Sequence, residues 1–169
     1  MNGSLLQDAF GHHVWATLTL MDTCAGLTPE QLETEVPGTF VSILGTLRHT
    51  VGADRSYLWV LTGGALPEVD EESMDLAALR EVMAEDGPAW ADYLAGDLDP
   101  EGFVVRHRDD GTDSGAPLTI RLAQVIHHGT DHRSQVCTAL TSLGIEPPAI
   151  DAWDYAWKDG RLTETQTGS

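Results

Sequence analysis

Apolar residues recur at helical spacing along four long stretches of this 169-residue chain. The first stretch, residues 5–25, carries Leu6, Phe10, Val14, Met21 and Cys24 on one face and stops at Gly26. Thr28-Pro29-Glu30 then opens a short helical turn, with proline at a position where its missing N–H does no harm. The second stretch, residues 40–61, lies between Pro37-Gly38 and Gly63-Gly64, with Ile43, Leu44, Leu47, Val51 and Leu58 as its stripe. The third, residues 73–94, takes Ser73 as its N-cap, and Gly87-Pro88 predicts a kink or break inside it. The fourth, residues 119–143, stops at Gly144.

Between Gly102 and Leu118 the period changes to that of a strand. Phe103 to Arg108, the turn residues Asp109-Asp110-Gly111, and a return near residues 116–119 predict a short β-hairpin. After Pro147-Pro148 comes a short aromatic segment, Trp153 to Trp157. The pattern predicts an all-α fold, a four-helix bundle with that hairpin before the last long helix. Its expected links are short ones between antiparallel helices and one long connection before the last. Residues 1–162 read as one domain, and the polar residues 163–169 as a disordered tail.

Charge narrows the function. Nine basic residues face 27 acidic ones, a net charge of −18. Phosphate backbones and anionic lipid surfaces need the opposite balance, so neither nucleic acid nor membrane is an expected partner. No run of about 18 apolar residues predicts a membrane span, and the N-terminus lacks the basic and apolar regions of a signal peptide. Cys24 and Cys137, the only cysteines, read as reduced, buried thiols of a cytoplasmic protein. The five tryptophans, Trp15, Trp59, Trp90, Trp153 and Trp157, read as core or interface aromatics.

Seven histidines carry the candidate chemistry. His128 and His132 are four residues apart in the fourth helical stretch. At about 100° per residue they flank the apolar line Leu118, Val125, Val136 and Leu143, while His127 points away. Two imidazoles stacked on one helix face suit a divalent metal, or a hydrogen-bonded core pair. His49 is the best third ligand. It lies off the main stripe of its helix, on a face with the small residues Ser42, Gly45, Ala53 and Ser56, which leave room for close packing or for a pocket. His13, on the apolar stripe of the first helix, is a candidate fourth ligand, a supporting group, or an ordinary core histidine. His12, His107 and His127 read as surface residues. The protease motif H-E-x-x-H is excluded, because Gly129 stands where its glutamate would be. Phosphate loops, nucleophile elbows and a paired-carboxylate dyad are likewise missing.

The segment from Leu122 to Leu143, with His128, His132-Arg133 and Gln135, resembles the last-helix signature H-x-x-H-H-R-G-Q of the DinB/YfiT-like superfamily. Asp131 and Ser134 depart from it. Leu47 to Asp54 with Trp59 resembles the family's second helix, whose histidine supplies a metal ligand. His13-Val14-Trp15-Ala16 resembles its first helix, where asparagine often stands at the position of His13. Leu143 to Pro148 and Asp154-Tyr155 resemble its C-terminal close. The resemblance implies a bundle of unusual connectivity, often a homodimer. It also implies a divalent metal, zinc or nickel, on His49, His128 and His132.

Three histidines leave a coordination position open, as catalytic zinc sites do. Characterised members of the family attach a low-molecular-weight thiol, such as mycothiol or bacillithiol, to an electrophile, or use it in isomerising maleylpyruvate. The expectation is therefore a metal-dependent thiol S-transferase acting on a small-molecule substrate, with His13 and Asp54 orienting a ligand or accepting a proton. The arginine-rich basic set leans towards mycothiol. A hydrolase using metal-activated water needs the same ligands, and a non-catalytic metal- or ligand-binding bundle also fits the sequence.

Overall fold

A computed structural model describes residues 4–108 and 110–163. The chain folds as α1 (Leu5–Cys24), α2 (Pro29–Leu32), α3 (Ile43–Leu61), a single 3₁₀ turn at Glu71–Ser73, α4 (Leu76–Leu94), the strands β1 (Phe103–His107) and β2 (Asp113–Pro117), α5 (Leu118–Ser142) and α6 (Ala152–Lys158). It is the expected mostly-α bundle with a small hairpin before the last long helix. The strands pair antiparallel from Phe103 opposite Pro117 to His107 opposite Asp113. Of the residues expected in the tail, 164–169 lie outside the described ones, as does Asp109 of the predicted turn.

Local chemistry sets the helix ends. Ser4 and Gln7 form a reciprocal capping box at the start of α1. Ser42 Oγ accepts from Gly45 N, so α3 begins at Ile43 rather than at Phe40. The cap of α4 is Asp75, which accepts from Ala78 N; the expected cap, Ser73, belongs to the 3₁₀ turn instead. Gly144, at φ +74°, follows the end of α5. Gly87-Pro88 does not break α4. A Cβ at Gly87 would lie 3.2 Å from Val14 Cγ1, so this glycine serves the close approach of α1 to α4, and the packing holds the helix through the proline.

Each long helix packs on two others: α1 on α4 and α5, and α3 on α4 and α5. The links α1–α3 and α4–α5 therefore cross the bundle diagonally. Two apolar clusters fill the interior. One holds Leu20, Met21 and Cys24 with Ile43, Leu47, Leu79, Met83 and Leu140. The other holds Phe10, Leu58, Trp90, Leu94, Leu122 and Val125. The order in which each helix meets the clusters shows that α1 and α5 run one way and α3 and α4 the other. The α3–α4 link is thus not a short turn between antiparallel neighbours. It retraces α3, with Glu71 packed on Gly52 and Arg48 Nε donating to Met74 O.

A buried polar layer separates the clusters, supplied by every long helix: His13 and Thr17, Asp54 and Arg55, Asp86, and Arg133. His13 Nε2 donates to Asp54 Oδ2 (2.7 Å), and Arg133 Nη1 donates to His13 Nδ1 (2.8 Å) and Thr17 Oγ1 (3.2 Å). Arg55 reaches Val82 O, Glu85 and Asp86. A charge this deep needs a partner, because an isolated one would be very costly.

Trp90 is in the core, but Trp153 and Trp157 stand 70% and 62% exposed on α6, contrary to the core reading. Trp153 and Trp157 lie one turn apart on the outer face of this seven-residue helix, while Tyr155 between them turns inward onto Trp15 and His12. His12 is not a surface residue either. It is half-buried, within hydrogen-bonding distance of Ile150 O (2.9 Å) and packed on Trp15 and Tyr155. Both cysteines are free; burial pushes the Cys24 thiol up to about 12, and Cys137 is only half-buried. Among the described residues no helix is long and apolar enough to cross a membrane.

Candidate metal centre

His128 and His132 sit one turn apart on α5 and turn inward, as their phase requires, and α3 brings His49 against them. His128 Nε2 lies 3.0 Å from His49 Nε2 and 3.1 Å from His132 Nε2. One nitrogen from each ring falls within 4.8 Å of the others. Two imidazole nitrogens bound to one tetrahedral zinc stand about 3.3 Å apart. The two short edges of this triangle come within a few tenths of an ångström of that value. The donor set of three neutral imidazoles is one that zinc and nickel accept.

The surroundings keep these rings as lone-pair donors. Burial first, then the neighbouring His132 and His49, push His128 down to about 4. Burial and His132 also lower His49. His132 Nδ1 donates to Gln135 Oε1 (3.0 Å), which leaves the lone pair on Nε2 facing the other two rings. Phe40 packs on His49 and His132 from the loop before α3.

His13 and Asp54 lie apart from the triad, in the polar layer beneath it. Both ring nitrogens of His13 are engaged and its side chain is fully buried. The reason for Gly129 is steric. Any Cβ at this position would run into His13 Cε1 and come within 2.9 Å of Arg133 Nη1. No glutamate fits there. His107 and His127 are exposed, as expected.

His49 also opens onto a cavity of about 560 Å³ floored by Gly52, Ala53 and Ser56. The small residues that the sequence singles out on this face, Ala53 and Ser56, thus leave a pocket beside the triad. Its far wall is the retraced link, with Glu68, Asp70, Glu71 and Glu72, and Arg106 of β1 spans Ser56 Oγ (2.7 Å) and Glu68 Oε1 (3.1 Å). Burial raises Glu71, with Glu72 adding to it.

Sequence reasoning misses Phe40, Arg55 and Asp86. Asp86 has a signal: it falls in phase with Leu79, Val82, Met83 and Trp90, an acid on an apolar stripe. Phe40 has none, because it lies outside any helix.

The chain matches the DinB family over residues 1–167. It belongs to that family. No curated protein matches it.

Proposed function

We propose that His49, His128 and His132 hold a divalent metal, zinc or nickel, and that the protein is a metal-dependent transferase joining a low-molecular-weight thiol to a small electrophile. The observation that carries this reading is the convergence of three imidazole Nε2 atoms beside a cavity large enough for a small molecule. Bound there, the metal would supply Lewis acidity, lowering the pKa of an incoming thiol so that it reacts as the stronger nucleophile.

The protein's own residues do the rest. His128 stays neutral and available at physiological pH because of its burial. Gln135 orients His132. His13 and Asp54 act as positioning residues: with Arg133 they tie α1, α3 and α5 together just below the ligands. Being fully buried, they hold the frame rather than meet substrate. The cavity wall is acidic, with one arginine already paired to Glu68, so it disfavours a thiol bearing carboxylates. An uncharged sugar thiol of the mycothiol kind suits it better.

The test has two stages. Elemental mass spectrometry of the untagged protein should find about one metal per chain, lost in His132→Ala. Turnover of a panel of electrophiles should then require an added thiol. Metal without any thiol dependence, but with ester or amide cleavage, would replace transfer by hydrolysis. An absence of metal after incubation with zinc and nickel would sink both.

A further inference from the structure

Phe40 stands on two of the three triad rings. Its ring centroid lies 4.7 Å from that of His49, with the planes 32° apart, and 5.2 Å from that of His132, at 63°. Yet half its surface is exposed, and it belongs to no helix. The loop around it is nevertheless firmly built. Gly38 turns the chain at φ +90°. Thr39 bonds Val36 O through both its N–H (3.1 Å) and its hydroxyl (2.8 Å). Ser42 donates to Glu33 and caps α3. Val41 fills the space that a side chain at Gly45 would need. The backbone that carries Phe40 is thus held on both sides.

The triad rings are not held alike. A ligating imidazole usually has its plane set by a hydrogen bond on the second ring nitrogen. His132 has such a bond, to Gln135. Among the described residues, the only polar side-chain contact of His49 is with His128, through the same Nε2 that faces the triad. What lies along the His49 ring instead is Phe40. We propose that Phe40 is the positioning residue for His49, fixing by offset stacking the ring plane that a hydrogen bond fixes in His132. The shallow 32° angle to His49 fits stacking, and the edge contact to His132 holds the two imidazoles at their mutual 87°.

This inference rests on the metal reading above, so its test has one arm with metal and one without. In the first, cobalt(II) is titrated into the wild type, Phe40→Ala and Phe40→Tyr. Loss of the ring should weaken binding about tenfold or more, the range expected for removal of an orienting group, and tyrosine should restore it. In the second, carbon–proton spectra of the histidine rings are recorded on metal-free protein. His49 should give one set of resonances shifted by the Phe40 ring current in the wild type and in Phe40→Tyr. That set should move and broaden in Phe40→Ala, with His127 unmoved. If the wild type takes up no cobalt, the metal reading fails, while the ring spectra alone still support the positioning role or overturn it. Unchanged His49 resonances in Phe40→Ala, or unchanged cobalt affinity in a protein that does bind it, overturn the proposal.

Discussion

Arg133 decides the tautomer of His13. A guanidinium can only donate, so its 2.8 Å contact makes His13 Nδ1 an acceptor and puts the proton on Nε2, where Asp54 Oδ2 receives it at 2.7 Å. Three helices are joined by this chain of donors and acceptors, and two of them carry the triad.

Breaking that chain should be expensive. Asp54→Ala leaves Arg133 buried without the carboxylate that most favours its charge. The expected loss is about 3–5 kcal/mol, with Asp54→Asn losing less because its amide oxygen still accepts from His13. Urea denaturation at neutral pH measures both. Equal stability of wild type and Asp54→Ala would show that the layer carries no net pairing energy.

The triad should act as a unit. Replacing any one of His49, His128 and His132 by alanine should reduce bound metal from about one equivalent to a small fraction, since two imidazoles alone hold zinc weakly. His127→Ala, one residue from His128 but exposed, should retain the full equivalent. Retention of metal in His49→Ala would remove α3 from the site.

Gly129→Ala sets two effects against each other. Helix propensity favours alanine by about 1 kcal/mol. The added Cβ would meet the His13 ring, which is held on both sides. Sterics should win, giving a variant about 1–3 kcal/mol less stable by thermal or urea unfolding, as overpacking of a dense core does. A more stable variant would mean that the layer yields easily.

Asp86 should leave a signature in the pH dependence. Burial is the largest influence, and it pushes this carboxyl to about 7 against the pull of Arg55. Arg55 Nε stands 2.7 Å from Asp86 Oδ1 without the alignment of a hydrogen bond, and neither Asp86 oxygen has a hydrogen-bond partner among the described residues. Between about 4 and 7 the folded state holds a proton that the unfolded chain has released. Stability from this group is therefore present below that window and falls as pH rises through it. The unfolding free energy of the wild type should decline from pH 5 to pH 8 relative to that of Asp86→Asn. Parallel curves would show that Asp86 is ionised throughout.

Helical periodicity makes the four long helices and the inward face of α5 legible in the amino-acid order alone, and the switch to a strand period marks the hairpin. His128 and His132 follow from phase, and His49 from the small residues on its face. Link geometry is not legible in this way. The sequence shows where α3 ends, but not that residues 62–75 double back along it, because that path depends on contacts such as Glu71 on Gly52 and Arg106 on Glu68. The same long-range dependence hides the cavity wall and Phe40. Ser73 reads as a cap only because it competes with Asp75, two residues later, which offers the same chemistry and takes the role.

The polar layer also has a consequence for how the helices find one another. Each contributes its charged or hydrogen-bonding group at one level, with apolar side chains above and below. Sliding any helix by one turn, about 5.4 Å, would press that group against leucine or tryptophan and strand its partners. Apolar contacts alone tolerate such a slip, since one leucine packs much like the next. The layer works as a vernier: it reads zero at only one alignment of the four helices, the alignment at which His49 comes level with His128 and His132.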